Sequence, residues 1–272
     1  MPDDFETTQS KHFARADREH FAWQTAGPGF AELESRFLAG ALATVGAPLL
    51  EIGCGEGGNL FHLVPRDPQA APREAAGGAL PGGDRSPSPP VAAGRPPFVG
   101  IDAYLDKLRF AAAAVPRARF ACADAARLPF CDGRFATVLI RDVLHHLAQP
   151  EATLAEACRV LAPGGSFVLI EPNAHNPLVR LQMAIVPAER GAARSDESWL
   201  RGLVRGLPLD RLEVEMAAPL PLARLVLHHR FGLPGLGRSR AVRALLAGCD
   251  RLASRLLPPS RWSYVVARAA RA

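Results

Sequence analysis

From Pro48 to Pro172 the chain alternates short apolar runs with amphipathic stretches, and this alternation limits the fold more than any other feature. PLLEIG, FVGID, ARFACAD, RFATVLIRD and SFVLIEP each have the length and apolar content of a buried strand. Between them, GGNLFHLV opens a helix, and YLDKLRFAAAAV and EATLAEACRVL form two more, the last stopped by Pro163-Gly164-Gly165. Strands that alternate with helices build a parallel sheet with helices on both faces, so the expected class is a doubly wound α/β fold. After Glu171 the pattern weakens. Residues 178–207 read as mostly helical, and LDRLEVEM and SYVVARA are two further strands that complete one sheet edge.

Composition permits such a fold: 272 residues with 48% apolar and 22% charged side chains can bury a substantial core, which excludes a disordered or collagenous chain. No run of about eighteen apolar residues suggests a spanning helix, and the first residues lack a basic segment followed by an apolar one, so a cytoplasmic address is expected. The cysteines (Cys54, Cys122, Cys131, Cys158 and Cys249) are odd in number and show no C-x-x-C spacing. Neither a zinc site nor a disulfide framework is expected from them, and no metal ligands are assigned. The 33 residues from Pro65 to Pro97 hold nine Pro and five Gly, with only Leu80 and Val91 large and apolar. They read as a disordered or loosely held surface insertion. The expected organisation is an amino-terminal helical lid over 1–46 and one domain over 47–272 that carries this insertion at 65–97.

Charge is uneven. Residues 216–272 hold ten Arg against one acid, Asp250, a local +9 within a total of +5. Over 239–257, Val242, Leu245, Leu246, Cys249, Leu252, Ala253, Leu256 and Leu257 share one helical face, with Arg240, Arg243, Arg251 and Arg255 opposite. Such a basic amphipathic helix either packs its apolar face on the sheet or roofs a ligand pocket, or rests on an anionic membrane and collects a lipidic ligand. Nucleic acid is disfavoured, because no aromatic residue interleaves with the arginines between Gly232 and Arg261 to stack on bases.

The first strand runs into Gly53-Cys54-Gly55-Glu56-Gly57-Gly58 and then a helix, which lets backbone N–H groups approach a nucleoside cofactor closely; an empty tight turn is the bland alternative. The next strand ends in Asp102, which can accept ribose hydroxyls or cap the following helix. Such an acid is expected about twenty residues past the glycines. Here the gap from Gly53 is 49 residues, and it falls to 16 once the insertion is removed. Glu51, inside E-x-G-x-G-x-G, argues against a dinucleotide, whose pyrophosphate it would repel, and favours a cofactor with an ammonium and a sulfonium. Asp124, after the third strand, can offer its carboxylate to the exocyclic amine of an adenine.

Taken in order, LLEIGCGEGGNL, VGIDAYLDKL, ACADAARLPF and RVLAPGGSFVLIEPN resemble the successive motifs of the class I S-adenosylmethionine-dependent methyltransferases over roughly Pro48 to Asn173, apart from the insertion. The resemblance implies a Rossmann-like, mostly parallel seven-stranded sheet with the last strand antiparallel. It implies S-adenosylmethionine held by Glu51, Gly53, Gly55 and Gly57 at the methionine portion, Asp102 at the ribose, and Asp124 and Ala125 at the adenine. The activity implied is methyl transfer to oxygen or carbon of a small hydrophobic molecule; a cofactor-binding regulator or partner subunit without transferase activity is the alternative.

Methyl transfer from a sulfonium is an in-line displacement, so alignment matters most, and a base helps only when the acceptor carries a proton. Beyond the fourth strand, Arg141-Asp142-Val143-Leu144-His145-His146 offers the candidates. On a helix starting there, Asp142, His145 and His146 share a face, with Asp142 orienting an imidazole that removes or relays a proton; a cap and packing residues are the alternative. LIRDVLHHL with RVLAPGG also resembles the quinone-biosynthesis C-methyltransferases, which implies Arg141 near the acceptor, although Asp142 stands where that subfamily has Asn. Glu171 either touches the acceptor or shapes its loop, and His12-Phe13 and His20-Phe21-Ala22-Trp23 either line a lid or pack in the core.

Overall fold

The computed structural model describes residues 11–43, 46–64 and 98–272. The insertion expected over 65–97 and the first ten residues of the expected lid lie outside the described residues.

Two helices, α1 (Arg18–Ala26) and α2 (Phe30–Ala41), come first. Asp17 caps α1 through the His20 N–H, and Gly29, with φ of 74°, turns the chain into α2. The alternating core then runs β1 (Leu49–Ile52), α3 (Gly58–Leu63), β2 (Phe98–Asp102), α4 (Leu105–Ala114), β3 (Arg119–Cys122), β4 (Phe135–Arg141), α5 (Pro150–Val160) and β5 (Leu161–Pro172). The remainder is α6 (Pro177–Ile185), α7 (Glu197–Val204), β6 (Leu209–Ala217), α8 (Leu222–Val226), α9 (Arg240–Leu256) and β7 (Tyr264–Arg271).

The seven strands lie in the order β3-β2-β1-β4-β5-β7-β6. β1 pairs parallel with both β2 and β4, so the strand order reverses there and opens a crevice at the carboxyl ends of β1 and β4. β7 runs antiparallel to both β5 and β6 and is inserted between them, which leaves β6 at the edge.

Both sheet faces are covered, as continuous apolar strands require. Strand periodicity sends Val138, Ile140, Phe167 and Leu169 to one face, where Leu154, Ala157, Leu200 and Val204 of α5 and α7 pack on them. It sends Leu139, Val168 and Ile170 to the other, under Leu38 and Ala41 of α2. Burial of each such side chain is worth about 1.5–3 kcal/mol.

The carboxyl-terminal helix divides its apolar stripe. Ser239 caps it at Val242, Ala253 is buried, and Leu246 packs beside Trp23, Phe30 and Leu227. Leu245, Leu252 and Leu256, however, are 66%, 56% and 72% exposed, so the expected single packing face is only half used. No helix among the described residues is long and apolar enough to cross a membrane.

Candidate active site

At the end of β1 the backbone must turn sharply. Gly53 and Gly57 have φ of 73° and 81°, in the left-handed region, and a Cβ on Gly53 would lie 2.4 Å from a methyl of Val143. The N–H groups of Gly53 and Cys54 both donate to the Ile101 carbonyl, which ties the loop to β2. Asp102 fastens the same junction: one oxygen accepts from the Gly55 N–H and the other from the Tyr104 N–H, each at 2.9 Å. Its carboxylate thus holds the glycine loop and the start of α4, with a lone pair left on each oxygen. Asp124 is exposed two residues past β3 and accepts from the Ala126 N–H; Ala125 is half-buried.

Glu51 is fully buried. One oxygen accepts from the Asn59 amide at 2.6 Å and the other has no partner. Burial pushes its pKa up to about 8, against the Asn59 hydrogen bond and the Arg141 charge; Asp102 adds to the upward push.

Arg141, expected near the acceptor, is instead enclosed. Its guanidinium donates to Asn59 at 3.0 Å and Glu34 at 2.8 Å and lies 3.4 Å from Asp142. Arg224 reaches Glu34 from the other side at 3.2 Å. Burial alone would raise the Glu34 pKa, but Arg141 and Arg224 outweigh it and hold the carboxyl at about 2. Arg141 therefore joins α2, α3 and β4, with no open surface of its own.

The expected helix after β4 is a single 3-10 turn, Leu144–His146, entered through Asp142 at φ of 54°. Asp142 pairs with Arg141 and does not orient an imidazole. That role falls to Glu171, at the end of β5. One of its oxygens accepts from the Val143 and Leu144 N–H groups at 3.0 and 2.8 Å, and the other lies 2.6 Å from His145 Nδ1. Glu171 is lowered in pKa: burial opposes ionisation, but the His145 charge and these hydrogen bonds win. On its far side His145 meets Glu189, Nε2 to Oε2 at 3.5 Å. Burial alone would lower the His145 pKa, and the two carboxylates raise it to about 10; burial and His145 together press His146 down to about 3.

Residues 11–26 lie across this crevice. Phe13 meets the His146 ring edge-on at 4.8 Å, the Asp17 N–H donates to Glu56, and Phe21 packs against Phe61 and Phe110. Trp23 is core: it stacks on Phe30 and donates to the Leu227 carbonyl. An open pocket of about 270 Å³ is lined by Leu147, Ala148, Arg190, Gly191, Ala193 and Arg194.

The structure thus gathers Glu51, the glycines and Asp102 around one loop, with Asp124 near them, and His145 and His146 around another. Sequence reasoning missed Asn59, Glu34, Arg224 and Glu189. Only Asn59 lies inside a recognisable motif. The other three sit in segments whose pattern states no more than helix or turn.

The family model for a methyltransferase domain matches residues 81–169, which begin downstream of the glycine loop. A demethylmenaquinone methyltransferase of Renibacterium salmoninarum is 35% identical over 102 residues, covering 35% of this chain and 43% of the relative. The chain thus aligns with less than half the length of that relative. Among solved structures, a possible histamine N-methyltransferase from Thermotoga maritima shares the fold with a TM-score of 0.58 at 16% identity, over 96% of this chain and 97% of that one. Geranyl diphosphate C-methyltransferase from Streptomyces coelicolor A3(2) shares it with a TM-score of 0.52 at 17% identity, over 89% and 80%.

Proposed function

We propose that this chain is a class I S-adenosylmethionine-dependent methyltransferase that transfers the cofactor's methyl group to oxygen or carbon of a small hydrophobic acceptor, a reading that the methyltransferase-domain match and the relatives support. The observation that carries the reading is the Glu51 carboxyl, buried beneath the glycine loop with one oxygen unpartnered. An unpartnered buried oxygen is costly, and a cationic ligand relieves it where a pyrophosphate would aggravate it. In this reading Glu51, Gly53, Gly55 and Gly57 take the methionine portion, Asp102 the ribose, and Asp124 with Ala125 the adenine.

The protein's work is then alignment in a site closed to water. Residues 11–26 of the lid cover the cofactor, with Phe13 reaching the acceptor end. His146 meets the acceptor, with His145 buried behind it and held by Glu171 as the positioning residue; Arg141 and Asp142 act on the chemistry only by holding the loop. The name of the Renibacterium relative supports an acceptor of the hydroquinone class, methylated at carbon. Calorimetry with S-adenosylhomocysteine and with NAD tests the cofactor: submillimolar binding of the first alone is expected, and preference for NAD would end the reading. Turnover against quinols, phenols and fatty acids tests the transfer, and cofactor binding without any turnover would leave a binding protein.

The exposed Leu245, Leu252 and Leu256, flanked on the same helix by exposed Arg240, Arg251 and Arg255, support peripheral contact with an anionic bilayer that delivers a lipidic acceptor. This agrees with the cytoplasmic address, since the anionic leaflet faces the cytoplasm. Cosedimentation with vesicles tests it: pelleting that is equal with and without anionic lipid would remove the charge-driven contact.

A further inference from the structure

The loop after β4 holds two imidazoles in an arrangement that methyl transfer does not by itself explain. Because Glu171 grips both the Val143 and Leu144 N–H groups, the single turn that follows is fixed. The His145 and His146 rings then lie 3.8 Å apart, centroid to centroid. His145 Nδ1 faces the other Glu171 oxygen at 2.6 Å. Glu171 accepts from the Nδ1–H and so leaves Nε2 as the atom that carries either a proton or a metal ion. Nε2 points into the protein at a second carboxylate, Glu189, 3.5 Å away, and makes no hydrogen bond; nor does His146 Nδ1, which is also buried.

A ring nitrogen and a carboxylate aimed at each other call for a positive charge between them, and the proton that the two carboxylates favour on His145 in the metal-free protein is one that a metal ion displaces. A proton would draw nitrogen and oxygen together to roughly 2.7–2.9 Å, the usual length of a charge-assisted bond. Two ligands at about 2.1 Å from a tetrahedral metal ion stand about 3.4 Å apart, close to the separation observed. A proton, moreover, engages only two of the atoms. One donor atom each from His145, His146 and Glu189 lie within 4.8 Å of one another, so a small contraction brings all three onto one ion.

We infer that His145 Nε2, His146 Nδ1 and Glu189 bind one divalent first-row metal ion of the zinc or cobalt kind, with Glu171 behind His145 as the orienting carboxylate. The surroundings agree with this. A carboxylate on the non-ligating nitrogen of a metal-bound histidine is the usual supporting contact, and Glu171 supplies it from a fully buried position. His146 has an equivalent support in its hydrogen bond to the Ala188 backbone. The charges of Glu171 and Glu189 together balance a dication. Two imidazoles and a carboxylate suit a borderline cation better than magnesium or calcium, which prefer oxygen alone.

Three protein ligands leave one position open. The wall of the pocket of about 270 Å³ includes Leu147 and Arg190, the immediate chain neighbours of His146 and Glu189. This deepens the proposed function and rests on it for the acceptor: the open position takes a hydroxyl oxygen of the acceptor and favours its ionised form, the proton leaving to solvent.

Metal binding can be measured without acceptor or turnover. The full chain is stripped with EDTA, exchanged into chelator-free buffer and titrated with Co²⁺ in an absorption spectrometer, then with Zn²⁺ in a calorimeter. One equivalent of each is expected, with the d–d bands of cobalt in a nitrogen and oxygen environment. His146→Gln and Glu189→Gln should each weaken binding at least tenfold while still binding S-adenosylhomocysteine as the wild type does, which shows them folded. No bound equivalent, wild-type affinity in both variants, or a thiolate-to-cobalt band pointing to the cysteines would each overturn the site. If S-adenosylhomocysteine fails to bind the wild type, the methyltransferase reading falls whatever the metal does.

Discussion

The two halves of the crevice are built from different materials. On the β1–β2 side the loop is made largely of backbone: glycine turns, N–H groups and carboxylates at strand tips, with Asp102 bonding its own strand's exit and the adjoining loop. On the β4–β5 side nearly every feature is a side chain held by another side chain. Glu171 holds His145, Glu34 holds Arg141 and Arg224, and Glu189 closes on His145 from a separate segment. A cofactor that is the same in every turnover suits a site fixed by main chain. An acceptor site, specific to one substrate, suits side chains, which can change without moving the strands.

If that contrast is right, the largest effect of a single substitution belongs to the side-chain half. Glu34→Ala leaves Arg141 and Arg224 buried without their anion, and removing one partner of a buried pair costs about 3–5 kcal/mol. Urea unfolding near neutral pH should show this loss, and a change below 1 kcal/mol would mean the network is dispensable. The pH dependence has a definite sign. With the Glu34 carboxyl held at about 2 in the fold and near the ordinary value of about 4.3 when unfolded, its contribution is complete above the unfolded value. It is then lost as pH falls from there toward 2. Glu34→Gln should remove that part of the acid sensitivity.

A pair of substitutions then separates the halves directly. Asp102→Ala should weaken S-adenosylhomocysteine binding by about 1–3 kcal/mol, the range for hydrogen bonds to a charged group. Glu171→Gln should leave that affinity within about twofold and lower kcat by about tenfold to a hundredfold, as loss of an orienting carboxylate does. Calorimetry and steady-state kinetics on both proteins decide it. Equal losses in both measurements for both variants would mean that the crevice is one cooperative unit.

The same contrast explains what the sequence disclosed. Gly53, Gly55, Gly57 and Asp102 were legible because backbone sites impose local demands: a positive φ leaves few choices besides glycine, and a strand-end acid recurs at a set distance. The sheet was legible from its apolar runs, including the two late strands, LDRLEVEM and SYVVARA. Asp142 was read as the orienter of an imidazole because it lies three residues from His145 on an imagined helix. The chain makes one 3-10 turn there, and the orienter arrives from Glu171, 26 positions later. The resemblance puts Arg141 near the acceptor, and the acid that encloses it is Glu34, 107 positions earlier. No periodicity announces such pairs, since each rests on the register of elements that meet only in the folded protein. The apolar stripe of α9 shows the same limit: Leu246 and Leu252 look alike in sequence, and only the position of Trp23 and Phe30 decides which is covered.

The smallest expected effect tests whether the main-chain half has an electrostatic element of its own. With its pKa raised to about 8, Glu51 is largely protonated at pH 7 in the cofactor-free protein. A cofactor ammonium favours the ionised form, so binding should release close to one proton at pH 7, and affinity should rise between pH 6 and 7.5 by at most about tenfold per unit. Above that range the amino group of the cofactor itself begins to lose its proton, near 8, and the gain should level off. Titration calorimetry in buffers of different ionisation enthalpy counts the proton directly. Glu51→Gln keeps the Asn59 contact, through its carbonyl oxygen, and removes the titration, so its affinity should be weaker and flat across the same range. Proton release that persists in Glu51→Gln would move the effect to another group, and the half built from backbone would then owe nothing to a tuned charge.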